Sequence, residues 1–254
     1  VIYKGEHDEK RIATVRAIEY RSHDEEFEET KLDFRGKPAF STMISQICQY
    51  NRRSEFILKV LKNMLEENPK QQVMILAHNR NILTYLHDAI KHREMATVGY
   101  YLGGMKEKAL KETETKQIVI ATYAMAAEAL DIKTLTTLIM ATSKTDIQQS
   151  VGRILREKHS DPIIVDIIDT HDIFRSQWNK RKAFYKKEDY KIFHTNSDIY
   201  DPDVKKWKPI LHSRKNNNKN NINNKNNKLT NFDDDDDDDN DSKPIGVCLL
   251  KMKK

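Results

Sequence analysis

The sequence predicts an α/β fold in which helices cover both faces of a parallel sheet. Between residues 73 and 168 the chain alternates short, continuous apolar runs with stretches of helical spacing. Continuous apolar runs are typical of strands that are buried on both faces, and each strand-helix-strand connection is expected to be a right-handed crossover. In such sheets ligands meet the loops at the carboxyl ends of the strands, so candidate functional residues are sought there.

The first 68 residues predict an entry segment that packs on this sheet. Residues 12–20 alternate loosely and are rich in β-forming residues, and residues 28–34 are interpreted as a partner strand. Residues 42–49 and 54–67 have helical spacing, and the second of these helices ends just before a proline. A strand region followed by two helices is therefore expected ahead of the main sheet.

Residues 69–195 predict the main domain. Its expected strands and helices alternate, and a last helix closes the domain. The expected strands are 73–77, 97–102, 117–121, 137–141 and 162–168, and the expected helices are 79–91, 106–113, 124–129, 147–156 and 173–187. Residues 196–211 are interpreted as an extension.

The last segment, residues 212–254, predicts a disordered tail. It is rich in Asn and Lys up to residue 228 and then contains seven consecutive aspartates, a composition with too few apolar residues to offset the entropy of ordering. Ahead of this tail the chain has 35 basic and 31 acidic residues. This mildly basic balance permits a polyanionic partner without requiring one.

Cysteine usage and hydropathy set the expected compartment. The chain has 2 cysteines, which supports neither a disulfide framework nor a thiolate zinc site and favours a reducing, intracellular setting. No apolar run approaches the roughly 20 residues that a membrane span needs, so no membrane partner is expected. Because the sequence begins with Val1 in a segment of strand-like composition, it is interpreted as a piece of a longer polypeptide.

The strongest local motif is a Gln-x-x-Gly-Arg-x-x-Arg string from Gln149 to Arg156 on a predicted helix. Arg153 and Arg156 are three residues apart and share one face, and Gln149 lies one turn earlier on that face. Two guanidinium groups and an amide that project together suit the spread charge of a transferring phosphoryl group. The alternative is a solvated basic helix face.

This string resembles motif VI of the superfamily 2 helicases, and the upstream segments follow the order expected of their C-terminal RecA-like lobe. Residues 73–78 resemble the motif IV strand and its exit. Residues 118–122 followed by 127–132 resemble motif V, with Ala129 where the family usually has Gly. The resemblance implies a RecA-like fold over residues 12–193. Within the superfamily, residues 99–105 and 177–182 are most similar to the transcription and replication helicases of large nucleocytoplasmic DNA viruses.

The resemblance implies a role for each matching residue. Arg153 and Arg156 are the expected catalytic arginine fingers. The residues expected to bind the nucleotide or couple it to motif VI are Gln149, Gly152, Asp131 and Glu128. The residues expected to contact nucleic acid are Thr122, Gly103, Gly104, His78 and Arg181.

The residues themselves leave plainer alternatives open. Paired glycines after a strand allow close approach to a phosphate, but Gly103 and Gly104 are also typical of a plain turn. Thr122 is equally typical of a strand-end cap, and Asp131 of a turn. Arg181 lies in a helix that interleaves aromatic and basic residues, a pattern that suits a strand-binding groove. Aromatic residues at helical spacing are also typical of a core.

The expected cofactors are ATP and Mg²⁺, held mainly by an N-terminal helicase lobe in cis. The phosphate-binding loop that such an ATPase needs is not recognisable here, because Gly36-Lys37 is followed by Pro38 and lacks the upstream glycine. The histidines show no metal-ligand spacing, so no protein-bound metal is expected.

The expected function is that of the C-terminal lobe of an ATP-dependent helicase that acts on single- or double-stranded nucleic acid, with DNA favoured over RNA. Two alternatives stay open: a non-catalytic scaffold that binds nucleic acid, and the motor half of a duplex translocase. The viral resemblance implies the host cytoplasm, a viral factory or the virion.

Overall fold

The structure is a computed structural model that describes residues 12–128, 132–154 and 162–211, without the side chains of residues 127, 128, 153 and 154. The strands are β1 (Thr14–Tyr20), β2 (Gln72–Ala77), β3 (Val98–Tyr101), β4 (Ile118–Thr122), β5 (Leu135–Met140), β6 (Ile163–Asp169), β7 (Lys191–Asn196) and β8 (Lys208–Ile210). They form one sheet in the order β3-β4-β2-β5-β6-β1-β7-β8. Every neighbouring pair is parallel except β7 and β8, so the predicted α/β class is confirmed.

Helices connect the strands and cover the sheet. The α-helices are α1 (Glu25–Glu28), α2 (Phe40–Gln49), α3 (Asn51–Glu67), α4 (Arg80–His92), α5 (Glu107–Glu114), α6 (Tyr123–Glu128), α7 (Gln148–Ile154) and α8 (Asp172–Lys187), and short 3-10 helices lie at Ser197–Ile199 and Val204–Lys206. Most of the α-helices that the sequence predicts start within one or two residues of the expected position. The tail at residues 212–254 lies outside the described residues.

Two cores lie on the opposite faces of the sheet. On β6, Val165 and Ile167 belong to the core shared with α2, α3 and α4, whereas Ile164 and Ile168 belong to the core shared with α6, α7 and α8. All four side chains are buried. Strands buried on both faces need apolar side chains at successive positions, which explains the continuous runs in the sequence.

The entry strand β1 lies inside the main sheet. It pairs in parallel with β6 on one side and with β7 on the other. Because its carboxyl end therefore lies at the same edge as the carboxyl ends of β2 to β6, the loop that follows Tyr20 emerges at the edge where functional loops are expected.

The partner strand predicted at residues 28–34 is wrong. The segment instead contains the end of α1, which Asp24 caps by accepting a hydrogen bond from the Glu26 amide, and a turn in which Leu32 pairs only with Pro38. A capping aspartate followed by glutamates in the first turn favours a helix start. The strands that the sequence did not predict are β7 and β8. They lie at one edge of the sheet and lack the continuous apolar pattern of the central strands.

Candidate nucleotide and nucleic-acid site

Four neighbouring strands end together and bring several predicted site residues to one edge. In the sheet register Ala77 pairs with Thr122, and Tyr101 pairs with Ala121. His78, Gly103, Gly104 and Thr122 therefore lie at or just after the carboxyl ends of β2, β3 and β4. We call this the carboxyl edge, and it also includes residues 142–144 after β5.

Thr142 joins the ends of β2 and β4 to the loop that leads into α7. Its hydroxyl accepts a hydrogen bond from the His78 amide at 3.1 Å and lies 2.9 Å from the His78 ring Nδ1. Its carbonyl accepts from the Tyr123 hydroxyl at 2.5 Å. Thr142 and Tyr123 are buried. Neither was singled out from the sequence, because nothing in their local pattern distinguishes them from ordinary strand-end residues.

His78 is a partly buried, neutral side chain. Burial, and after it the positive charge of Lys144, lowers the pKa of His78 to about 4. Its ring also lies 4.8 Å from the Tyr123 ring, centroid to centroid. A neutral imidazole has no charge to pair with a phosphate, so any contact of His78 with nucleic acid is limited to hydrogen bonding or stacking.

The loops after β3 and β4 lie side by side. Gly104 has a φ of +83°, a backbone conformation that favours glycine. A Cβ atom at Gly103 would lie 3.7 Å from the sulfur of Met125 in α6. The Thr122 hydroxyl accepts from the Met125 amide at 3.4 Å, so it has the capping contact that was one of its two interpretations. The two loops are thus held close to each other at the carboxyl edge.

Helix α7 carries the start of the Gln-Gly-Arg-Arg string with one face exposed. Gln149 and Gly152 are exposed, whereas Ile147 and Val151 are buried against the sheet. Within the part of the chain that the structure describes, a Cβ atom at Gly152 would have no neighbour within 4 Å. Gln149 and Gly152 therefore lie on an open face of the helix, and the prediction that the two arginines share that face stays a prediction.

Four predicted residues fall where their side chains are not described. Arg156 and Asp131 lie outside the described residues, and Glu128 and Arg153 lie on α6 and α7 without described side chains. Their roles stay predictions.

Arg181 does not lie on a strand-binding surface, contrary to the sequence expectation. Its side chain is 1% exposed and forms a buried ion pair with Asp166, Nε to Oδ2 at 2.8 Å and Nη2 to Oδ1 at 2.9 Å. Its Nη1 donates to the Ser143 hydroxyl and the Lys144 carbonyl. A guanidinium with these partners positions the loop after β5 and has little left to offer a ligand.

Comparison with known proteins shows which sequences and structures this chain resembles. No protein-family model matches the chain. It is 37% identical over 161 residues to "Putative ATP-dependent RNA helicase L396" of Acanthamoeba polyphaga mimivirus, a match that covers 61% of this chain and 31% of the relative. It is 25% identical over 223 residues to "Putative ATP-dependent RNA helicase QP509L" of African swine fever virus (isolate Pig/Kenya/KEN-50/1950), covering 78% and 43% of the two chains.

Solved structures share the fold. T4 UvsW aligns with a TM-score of 0.55 and 21% identity over 73% of this chain and 41% of its own. The C-terminal domain of the DEAD-box protein Dbp5 aligns with a TM-score of 0.50 and 14% identity over 77% of this chain and 96% of its own. The chain therefore shares the RecA-like fold of these structures, and its sequence is similar to that of viral proteins named as putative helicases. It spans 31% and 43% of the length of the two viral relatives given above.

The described part of the chain has neither a membrane-spanning helix nor a metal-binding cluster of side chains. Among residues 12–128, 132–154 and 162–211, no helix is long and apolar enough to cross a membrane. The same residues contain no group of three or more His, Cys, Asp or Glu side chains arranged to hold a metal ion.

Proposed function

We propose that this lobe is the C-terminal half of an ATP-dependent helicase motor, in which α7 supplies arginine fingers and the carboxyl edge supplies part of the strand-binding surface. The observation that carries the proposal is the connection through Thr142. It holds the exits of β2 and β4 against the loop that enters α7, so the predicted nucleic-acid residues and the predicted arginine helix share one buried anchor. A shared anchor lets a change at one surface reach the other.

The open face of α7 suits a nucleotide held between two lobes. Gln149 and Gly152 are exposed there, and space at Gly152 would allow close approach of a phosphate or of the partner lobe. Arg153 and Arg156 would stabilise the charge that develops on the γ-phosphoryl group, while an N-terminal lobe in cis would hold most of the ATP and Mg²⁺. Asp131 and Glu128, as residues of motif V, would couple this event to Thr122.

The nucleic-acid partner is proposed to be a strand that crosses the carboxyl edge at Gly103, Gly104, Thr122 and His78. The sequence expectation favoured DNA, whereas the two viral relatives carry names of RNA helicases. These names favour RNA over the DNA of the sequence expectation, so both are compared in the test.

The test is the nucleic-acid-stimulated ATPase activity of a protein that carries both lobes, with single-stranded DNA, duplex DNA and RNA compared. We expect Arg156→Ala to reduce the stimulated rate on the order of a thousandfold while strand affinity stays within a small factor, because an arginine finger acts on the transition state. Arg93→Ala is the matched control, since Arg93 is an exposed arginine at the far end of α4. Unchanged turnover in Arg156→Ala would remove the arginine-finger assignment, and a wild type without ATPase activity would favour the scaffold alternative.

A further inference from the structure

A hairpin between α1 and α2 presents an aromatic side chain to solvent. We call residues 31–39 the Phe34 hairpin. Leu32 forms an antiparallel bridge with Pro38, the Asp33 amide donates to the Lys37 carbonyl at 2.7 Å, and the Ala39 amide donates to the Lys31 carbonyl at 2.9 Å. At its tip Phe34 is 89% exposed. A large apolar side chain that stays in water does not contribute the favourable free energy that its burial would give.

Hydrogen bonds fix the shape of the tip. The Asp33 carboxylate accepts from the amides of Arg35 at 2.8 Å and Lys37 at 2.9 Å, and these bonds, that of Lys37 above all, lower the pKa of Asp33. The Gly36 amide donates to the Asp33 carbonyl at 3.0 Å, and Gly36 has a φ of +73°. The hairpin therefore holds Phe34 outward in a preformed geometry, which lowers the entropy lost on binding.

The charges around Phe34 favour a polyanion. The Arg35 guanidinium carbon lies 4.9 Å from the centre of the Phe34 ring, and Lys37 is exposed next to it. Asp33 is the one acidic residue within the hairpin, and its carboxylate is committed to the turn. The preceding helix α1 is acidic, so a polyanion would meet the tip of the hairpin and not its base.

The base of the hairpin stands beside the carboxyl edge. The hairpin leads directly into α2, whose first residue is Phe40. The Phe40 ring packs edge-on against the His78 ring at 5.9 Å and against the Phe174 ring at 6.1 Å. His78 follows β2 at the carboxyl edge, and the chain entering the hairpin leaves β1 at that same edge of the parallel sheet. The hairpin thus rises next to the residues proposed to bind the strand.

We propose that the Phe34 hairpin is a strand-binding finger, in which the Phe34 ring stacks on a nucleobase while Arg35 and Lys37 pair with backbone phosphates. Stacking platforms combined with cations are how proteins bind single strands without reading their sequence. The proposal rests on the proposed function only in requiring that the protein binds a nucleic-acid strand. The rival occupant is another protein surface, such as the N-terminal lobe, to which Leu32, 59% exposed in the same hairpin, would add apolar area. Charged residues are depleted at the core of protein interfaces, however, and two cations lie beside the Phe34 ring.

The first experiment measures the affinity of the two-lobe protein for labelled single-stranded RNA and DNA by fluorescence anisotropy. We expect Phe34→Ala to weaken binding about tenfold, because one stacked base is lost. Ile199→Ala is the matched control, since Ile199 is also a large apolar side chain with most of its surface exposed and lies on a different loop. Equal affinity of the two variants would overturn the finger, and a wild type that binds no strand would remove the proposed function together with it.

The second experiment replaces Phe34 by Trp and follows its fluorescence, using the wild type to subtract the emission of Trp178 and Trp207. A stacked base quenches indole emission, so we expect an oligonucleotide to quench the Phe34→Trp signal and inorganic polyphosphate, which has no bases, to leave it unchanged. Quenching by both ligands would show contact without stacking and would overturn the proposal. So would a Phe34→Ala variant that changes ATP turnover in the absence of nucleic acid while strand affinity is unchanged, because that result places the hairpin on the N-terminal lobe.

Discussion

The two buried ion pairs of β6 face opposite sides of the sheet and differ in how completely they are satisfied. Asp166 points towards α8 and pairs with Arg181, and Asp169 points towards α3 and pairs with Arg53. Both arginines are about 0–1% exposed. Arg181 uses all three of its nitrogens, on both Asp166 oxygens and on two acceptors in the loop after β5. Arg53 uses two, and its Nη1 is buried without a hydrogen-bond partner among the residues that the structure describes.

This difference indicates that the two pairs have different structural roles. Burial disfavours the charge of Arg181, but Asp166 outweighs burial and holds the pKa of the guanidinium above its ordinary value. The Tyr185 hydroxyl donates to the same carboxylate at 3.0 Å, and burial, then Asp166, raises the pKa of Tyr185. Because Arg181 also holds the Ser143 hydroxyl and the Lys144 carbonyl, this pair fixes the path of the chain towards α7. Arg53 joins α3 to the end of β6, and in the described ranges it forms no such loop contact.

The largest expected effect is that of Arg181→Met. Removing one partner of a buried pair leaves an uncompensated charge and lowers the free energy of unfolding by about 3–5 kcal/mol. The two loop acceptors lose their donor as well, so we expect a value near the top of that range, measured by urea unfolding. The double variant Arg181→Met with Asp166→Leu should recover the part of the loss that comes from the unpaired charge, because only the neutral Tyr185 hydroxyl and the two loop acceptors then lack their partners. A double variant as unstable as the single one would contradict this account.

A surface pair with the same geometry serves as the control. Arg93 binds both oxygens of Glu55, at 2.9 and 2.7 Å, but the side chains are 45% and 42% exposed. Arg93→Ala is expected to change the free energy of unfolding by less than about 1 kcal/mol, since water solvates both charges when the pair is broken. The contrast with Arg181 separates the effect of burial from that of bidentate geometry.

The next effect in size is that of Arg53→Met, which we expect to lower the free energy of unfolding by about 3 kcal/mol. Asp169 loses its partner, but the variant also removes the unpaired Nη1 and leaves no loop acceptor without a donor. The same urea titration gives the comparison with Arg181→Met. If Arg53→Met proves the more damaging of the two, the loop contacts of Arg181 contribute little and the assignment of that pair to loop positioning fails.

Neither pair could be predicted from the sequence, whereas most of the sheet could. The strands β2 to β6 and the helices between them follow from local apolar patterns, which hold wherever both faces of a sheet are covered. Arg53 and Asp169 are 116 residues apart, and no local pattern records such a contact. Arg181 lies in a basic run of α8, where exposure was the reasonable expectation, and only the packing of α8 on β6 buries it.

The candidate site was predictable to a similar degree. The residues at strand ends, His78, Gly103, Gly104 and Thr122, came together because parallel strands share their carboxyl edge. Thr142 and Tyr123, which join them to α7, were not found because their significance depends on a hydrogen bond between two separate strand exits. The strand prediction for residues 28–34 fails in the first arm of the Phe34 hairpin, because composition alone does not reveal the turn that Asp33 and Gly36 form.

The smallest effect concerns His78, a partly buried side chain that is kept neutral, whereas the two buried arginines are kept charged. Its folded pKa of about 4 lies below the ordinary value of 6.5, so between these pH values the unfolded chain binds more protons than the folded one. The stabilisation linked to His78 is therefore complete above pH 6.5 and is lost as the pH falls towards 4. We expect the urea midpoint of the wild type to decrease over this window more steeply than that of His78→Gln, which keeps a polar side chain near Thr142 but cannot titrate. Because all carboxylates titrate equally in both proteins, parallel curves would mean that folding does not lower the pKa of His78. The ring would then gain its charge in the folded protein as the pH falls through 6.5, and its contact at the carboxyl edge would not be restricted to the neutral form.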